Sequence, residues 1–167
     1  VAGLKGQVAA GVKSPSQDGM TPSQQLAAIY ERASTLTGEQ QRIWCKLRDE
    51  LRASNVAVIE PDELNDRERS WLDTHFMTEI FPVLTPLAVD PAHPFPFIPN
   101  FGLALALQLV RPADNRTLVG LLPLPAQINR FICLPGGQGR FIVLEKLVTM
   151  YLDKLFPGFE MLSVGAF

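Results

Sequence analysis

A stripe of apolar residues running from Leu26 to Leu51, behind a clearly written helix start, constrains this chain more than any other feature. In "TPSQ", Thr21 is placed as N-cap, Pro22 occupies the first helical position, and Gln24 can complete a capping box. Leu26, Ile29/Tyr30, Ala33, Leu36, Gln40, Ile43/Trp44, Leu47 and Leu51 then recur at spacings of three and four. The pattern predicts one helix to about Ala53, ~48 Å long at ~1.5 Å per residue. Gly38 near its middle costs about 1 kcal/mol relative to Ala. Such a stripe demands a partner helix, and antiparallel pairing of two copies is expected over fraying. A homo-oligomer follows as the expected state.

The character changes near Ser54. Val56, Val58 and Ile59 form a short β-type run, and Asn65 with Glu68 writes a second capping box. Trp71, Leu72, His75, Phe76, Glu79 and Ile80 repeat along that second helix, which must stop before Pro82. The segment "FPVLTPLAVDPAHPFPFIPN", residues 81 to 100, carries six prolines, yet is apolar between them. It is expected to be an ordered, extended connection packed on a core. "LALALQL" alternates Leu103, Leu105, Leu107 and Leu109 against Ala104, Ala106 and Gln108, and "PADN" turns it into "TLVGLL", predicting an antiparallel hairpin of 101–110 with 117–122. "RFICL" and "RFIVL" flank "PGGQG" as a second pair. Leu147, Val148, Tyr151, Leu152 and Leu155 mark a helix ended by Pro157-Gly158, and "FEMLSVGAF" is a strand-like run. The expected fold class is α+β: a long helical arm, residues 1–54, followed by a body, residues 55–167, with a small antiparallel sheet and flanking helices.

At 167 residues, 47% hydrophobic and 19% charged, the chain has ordinary globular composition. A net charge of -2 supplies no basic field for nucleic acid. The longest apolar run, "FGLALALQLV", is about half the length a bilayer-spanning helix requires, so a soluble, cytoplasmic protein without a membrane span is expected. The opening "VAGLKGQVAAGV" reads as the tail of a helix without cap or initiator methionine, and the far end stops in a strand. A fragment of a longer protein is expected, its body incomplete at the C-terminal end.

Cys45 and Cys133 lack C-x-x-C spacing and sit in apolar patterns, predicting buried free thiols rather than a disulfide or metal site. "PGGQGR" has glycines that could approach a phosphate, but it joins two strands and lacks a G-K-[ST] ending, so a hairpin turn is expected. His75 and His93 are the only histidines, and neither has a converging partner nearby in sequence. His75 lies on the stripe with Trp71 and Phe76 and reads as a packed, hydrogen-bonded helix residue. His93, among fixed prolines, also reads as structural. Arg111, Arg116, Arg130 and Arg140 fall at strand ends, where they could gather into an anion-binding face, although solvated side chains are the commoner outcome. The residues alone predict architecture, with no catalytic, cofactor-binding or metal site.

At "FPVLTPLAVDPAHPFPFIPN" the sequence closely resembles the bacterial type-1 polyphosphate kinase family, whose head domain carries this segment before a leucine-rich strand. "VAGLKGQVAAGV" looks like the family's segment just after its "NLDEF"-type motif. "INRFICLP" resembles "xPRFVxLP", and "VLEKLVTMYLDKLFPGFEML" resembles "LEDLIxxxLxxLFPG". The resemblance covers essentially the whole chain.

It implies reversible, magnesium-dependent transfer of the terminal phosphate of ATP to polyphosphate through a phosphohistidine, in a four-domain parent. The family's nucleotide-contacting asparagine would fall upstream of Val1, and its phosphoacceptor histidine and nucleotide-binding arginines would lie in two later domains of phospholipase D-like fold. No H-x-K motif occurs here, since His75 is followed by "FM" and His93 by "PF". By resemblance, residues 1–54 would end a helical N-terminal domain and 55–167 would form most of a head domain used for subunit contacts. No ATP or magnesium is expected in this portion. The rival reading is a stand-alone interaction module with a helical arm.

Overall fold

The computed structural model describes residues 1–89, 97–99, 101–136 and 139–167. His93 and the middle of the proline-dense segment lie outside the described residues. The chain divides into two compact units, Val1–Leu51 and Arg52–Phe167.

In the first unit, α1 (Ala2–Ala9) precedes a loop and α2 (Pro22–Ala53), whose last two residues belong to the second unit. The capping box forms as the sequence implies. Thr21 N–H donates to Gln24 Oε1 at 2.9 Å, and Gln24 N–H donates to Thr21 Oγ1 at 3.4 Å. Asp18 pins the loop ahead of it, accepting from Ser16 Oγ at 2.5 Å, from the Met20 N–H at 3.0 Å and from Gln25 Nε2 at 2.7 Å. These hydrogen bonds, Ser16 foremost and then Gln25, pull the Asp18 carboxyl down to about 2. The Lys5 ammonium sits 5.8 Å from the centre of the Tyr30 ring. Of the helix stripe, Ile29, Tyr30, Leu36, Ile43 and Leu47 are exposed.

The second unit is built on two sheets. β1 (Ala57–Val58) is followed by a 3-10 turn at Pro61–Glu63 and by α3 (Asp66–His75), which starts on the Asn65/Glu68 capping box. Pro82 has no N–H to donate back into a helix and its ring clashes with the preceding turn. The chain accommodates this before the proline: α-helical bonding stops at His75, a π turn spans Phe76–Ile80, and a 3-10 turn spans Phe81–Val83. β2 (Leu87–Val89), β3 (Leu103–Arg111), β4 (Arg116–Leu124) and β7 (Glu160–Ala166) form one sheet in the order β2-β4-β3-β7, with β5 (Phe131–Cys133), β6 (Arg140–Val143), α4 (Leu144–Met150) and α5 (Leu152–Leu155) intervening in the chain. β3 and β4 pair antiparallel from Leu103↔Leu124 to Arg111↔Arg116, as the alternation predicts.

A single antiparallel sheet was the expectation for this body; a second sheet is present, in the order β1-β6-β5. β5 and β6 pair antiparallel as expected, but β1 runs parallel to β6, with Ala57 opposite Arg140. Two-residue β1 is too short for its sequence pattern to announce its partner.

Between the sheets and helices lies one core. Leu72, Phe76 and Ile80 face Leu105, Leu107 and Leu122 of the larger sheet together with Ile142, Leu147 and Val148. The expected final helix is broken at Tyr151, which leaves helical dihedrals (φ -119, ψ 21). Its ring lies flat on Phe76, with centroids 4.2 Å apart, and its hydroxyl donates to Asp73 Oδ1 at 2.7 Å. Burial first, then the Asp73 hydrogen bond and charge, push the Tyr151 hydroxyl pKa well up.

The cysteines correct the sequence reading. Both are free thiols, but both are exposed. Cys45 is exposed beside half-buried Trp44 on α2, and Cys133 occupies the outward pleat of β5 between buried Ile132 and Leu134. An apolar neighbourhood in sequence does not choose the face of a helix or strand.

Candidate functional site

The second unit carries a polar cleft of about 630 Å³ lined by Arg52, Asn55, Ala57, Ile59, Glu63, Gly139 and Arg140. Its floor is set by the parallel pairing of β1 and β6, through Ala57 N–H to Gly139 O at 2.8 Å and Ile59 N–H to Phe141 O at 2.8 Å. Gly139 is required here. Its φ is +64°, and a Cβ would lie 2.5 Å from the Asn55 carbonyl oxygen.

Four charges converge around the cleft. Glu68 is only 3% exposed, and its carboxylate accepts from Arg140 Nε at 2.7 Å and Nη2 at 3.1 Å. Arg140 Nη2 also donates to the Glu63 backbone oxygen at 2.9 Å. Glu63 in turn accepts from Arg52 Nη2 at 2.7 and 2.8 Å and from the Glu60 N–H at 2.8 Å. The Glu60 N–H holds the Glu63 carboxyl below its usual range, with Arg52 and Arg140 adding to it; Arg140 does the same for Glu68, helped by the Asn65 N–H. Glu68 raises Arg140 in return. Both carboxylates are therefore ionised near neutral pH, and each guanidinium faces one of them. This is a clasp joining the start of α3 to the start of β6, with no group poised to accept or release a proton.

The four arginines singled out at strand ends do not gather into one face; of them, Arg111 and Arg116 are neighbours across the β3–β4 hairpin. Arg111 pairs with Asp114 at 3.4 Å and lies 5.5 Å from the centre of the Phe159 ring. Arg116 sits opposite Arg111 at the exposed hairpin end. Arg130 grips Glu145 at 2.5 and 3.0 Å, an interaction that raises its pKa. Arg140 is committed to Glu68. His75 stacks on Trp71, with centroids 4.6 Å apart and an interplanar angle of 12°. Sequence reasoning named Glu68 as a cap residue and missed its second role, because Arg140 lies 72 positions away and no local spacing links them. The Tyr151–Asp73 pair, 78 positions apart, was missed for the same reason; Arg52 and Glu63 are only 11 apart, but they lie on different elements and no helical or strand spacing links them.

Residues 67–167 match the polyphosphate kinase middle domain family, and residues 1–59 match the polyphosphate kinase N-terminal domain family. The chain belongs to the polyphosphate kinase family. It is 43% identical to the polyphosphate kinase of Erythrobacter litoralis over all of its length and 23% of that protein's. It is 40% identical to that of Halalkalibacterium halodurans, over 24% of that protein. The crystal structure of polyphosphate kinase from Porphyromonas gingivalis is similar to 84% of the chain with a TM-score of 0.75, at 25% identity and over 24% of that chain. The chain thus spans about a quarter of the polyphosphate kinases it matches. Among the described residues no helix is long and apolar enough to cross a membrane.

Among the described residues no group of three or more His, Cys, Asp or Glu side chains is placed to hold a metal ion, and Arg52, Arg130 and Arg140 are held by carboxylates.

Proposed function

We propose that this chain is the supporting portion of a polyphosphate kinase that reversibly transfers the terminal phosphate of ATP to polyphosphate. In this reading the parent works with magnesium in the cytoplasm and forms a homo-oligomer. The phosphoryl group passes from ATP to a histidine nitrogen, releasing ADP, and from that nitrogen to the end of the polyphosphate chain. The histidine belongs to a part of the parent outside these residues. Residues 1–54 act as the end of its helical N-terminal domain, and residues 55–167 as a head domain that supplies shape and subunit contacts.

The observation that carries this reading is a 43% identity to a polyphosphate kinase along the whole chain. The paired state of the clasp supports a structural role, because phosphoryl transfer needs cations free to meet developing charge and a nucleophile aimed at the phosphorus. The test compares the purified 167-residue chain with the complete polyphosphate kinase that contains it, each given ATP, magnesium and a polyphosphate primer. The complete enzyme should release ADP and lengthen the primer, while the chain alone should do neither. ADP release by the chain above the buffer rate would overturn the assignment of a supporting role. Failure of the complete enzyme to use polyphosphate would overturn the substrate.

A further inference from the structure

Between the end of α2 and the 3-10 turn, residues 55–60 are held to the rest of the second unit at few points. Of these residues only Ile59 is buried, at 1% exposed; Val56, Ala57 and Val58 are half-buried, and Asn55 and Glu60 are exposed. β1 gives the ladder two residues, and parallel pairing is the less stable kind. Glu60 meets Lys146 at 3.0 Å, but both side chains are 49% exposed, so water weakens that pair.

The ends of the segment, by contrast, are fixed. Arg52 grips the Glu63 carboxylate across its base, Arg140 Nη2 donates to the Glu63 backbone oxygen, and Arg69 Nη2 donates to that of Pro61 at 2.5 Å. Asn55 turns the chain at one end with a φ of 59°, in the left-handed region that Asn tolerates, and Pro61 opens the 3-10 turn at the other. β6 does not rely on β1. Its other edge pairs with β5 from Phe131↔Val143 to Cys133↔Phe141, extended by Leu144 N–H to Arg130 O at 2.7 Å and Leu134 N–H to Arg140 O at 2.9 Å.

We propose that residues 55–60 form a strap that lifts off β6 and returns while the rest of the second unit stays folded, opening and shutting the polar cleft beneath it. This stands apart from the kinase reading and does not depend on it. Ala57 and Ile59 line the cleft on the strap's side, and Gly139 and Arg140 line it on the other, so withdrawal of Ile59 widens it and bares the β6 edge. Arg140 stays on Glu68 throughout, because that pair involves no strap atom. The Arg52–Glu63 tie keeps the ends of the strap together, so reclosing fixes only a short loop.

Hydrogen exchange of the 167-residue chain, followed amide by amide in urea below the unfolding transition, reads the motion. The Ala57 and Ile59 amides, which donate to Gly139 and Phe141, should be protected at least roughly tenfold less than the β3–β4 ladder. Their exchange should hardly respond to urea, because lifting a strap exposes little surface, whereas the ladder should respond steeply. Arg52→Ala unties the base and should speed exchange severalfold at these two amides alone. Thiol labelling gives a second reading in a Cys45→Ser/Cys133→Ser background, with the fold of each variant checked by circular dichroism. Ile59→Cys should react at least roughly tenfold faster than Ile142→Cys, a position equally buried but on β6. Equal protection and equal urea dependence at Ala57, Ile59 and the ladder, an Arg52→Ala effect spread evenly over the ladder, or equal labelling of the two cysteines would each overturn the proposal.

Discussion

Arg140 holds the carboxylate of Glu68, 72 positions earlier in the chain, through two nitrogens at 2.7 and 3.1 Å, and so ties the cap of α3 to the first residue of β6. The Glu68 side chain is 4% exposed and that of Arg140 30%. Removing one partner leaves the other charge stranded, which costs more than the pair contributes as a whole.

Arg140→Ala is expected to lower the stability of the second unit by about 2–4 kcal/mol, less than for a fully dry pair because the guanidinium keeps some water. Arg116→Ala, at the exposed hairpin end, should stay within about 0.5 kcal/mol. Urea denaturation of the two variants side by side checks the contrast, and equal losses would contradict it.

Acid should loosen the same clasp. Glu63 and Glu68 both titrate below their ordinary value of 4.5 when folded, so the unfolded chain binds more protons through the acid limb. The stability they contribute is fully present above that ordinary value and is lost as pH falls through the depressed folded values. Glu68→Gln should flatten the acid limb of a stability–pH curve, while near neutrality it costs stability outright by weakening the ion pair.

Tyr151 should show the opposite sign. Its hydroxyl pKa is raised above the ordinary value of 10.0, so the stabilisation is complete below that value and disappears as pH climbs through the folded one. The chain has two tyrosines. In a Tyr30→Phe background, the tyrosinate absorbance should rise only together with the loss of tertiary structure. Tyr151→Phe should cost about 1 kcal/mol by deleting one hydrogen bond.

Gly139→Ala sets a Cβ against the Asn55 carbonyl oxygen at 2.5 Å in a left-handed backbone, whereas Gly158→Ala, at φ +82°, meets nothing within 4 Å. The second change should cost about 1 kcal/mol of conformational strain. The first should exceed it severalfold and separate β1 from β6. Thermal melting of both variants, with hydrogen exchange at Ala57 and Ile59, reports on this.

What could be read from the sequence were features written within a few neighbouring residues. Thr21 with Gln24 and Asn65 with Glu68 close hydrogen bonds three residues apart, and the alternating leucines of β3 meet β4 across a short turn, so composition and spacing carry those features in full. The β1–β6 pairing, the Arg140–Glu68 clasp and the Tyr151–Asp73 contact join residues more than seventy positions apart, and no periodicity encodes such a meeting. The π turn at Phe76–Ile80 was half visible: Pro82 announced an ending, but not the widened turn that keeps both Phe76 and Ile80 in the core. The arginines misled because charge at a strand end marks exposure only until a carboxylate from another element arrives.

The parallel pairing of Ala57 with Arg140 also has a consequence in time. β3 with β4, and β5 with β6, join near neighbours and can form as soon as they leave the ribosome, whereas β1 has no sheet to enter until β6 has been made. At ordinary rates of synthesis that interval is on the order of ten seconds. Through it Ile59 travels without the sheet beside it, and Leu72, Phe76 and Ile80 have only the larger sheet to cover them, so the nascent protein keeps part of its apolar core open until Ile142, Leu147 and Val148 arrive.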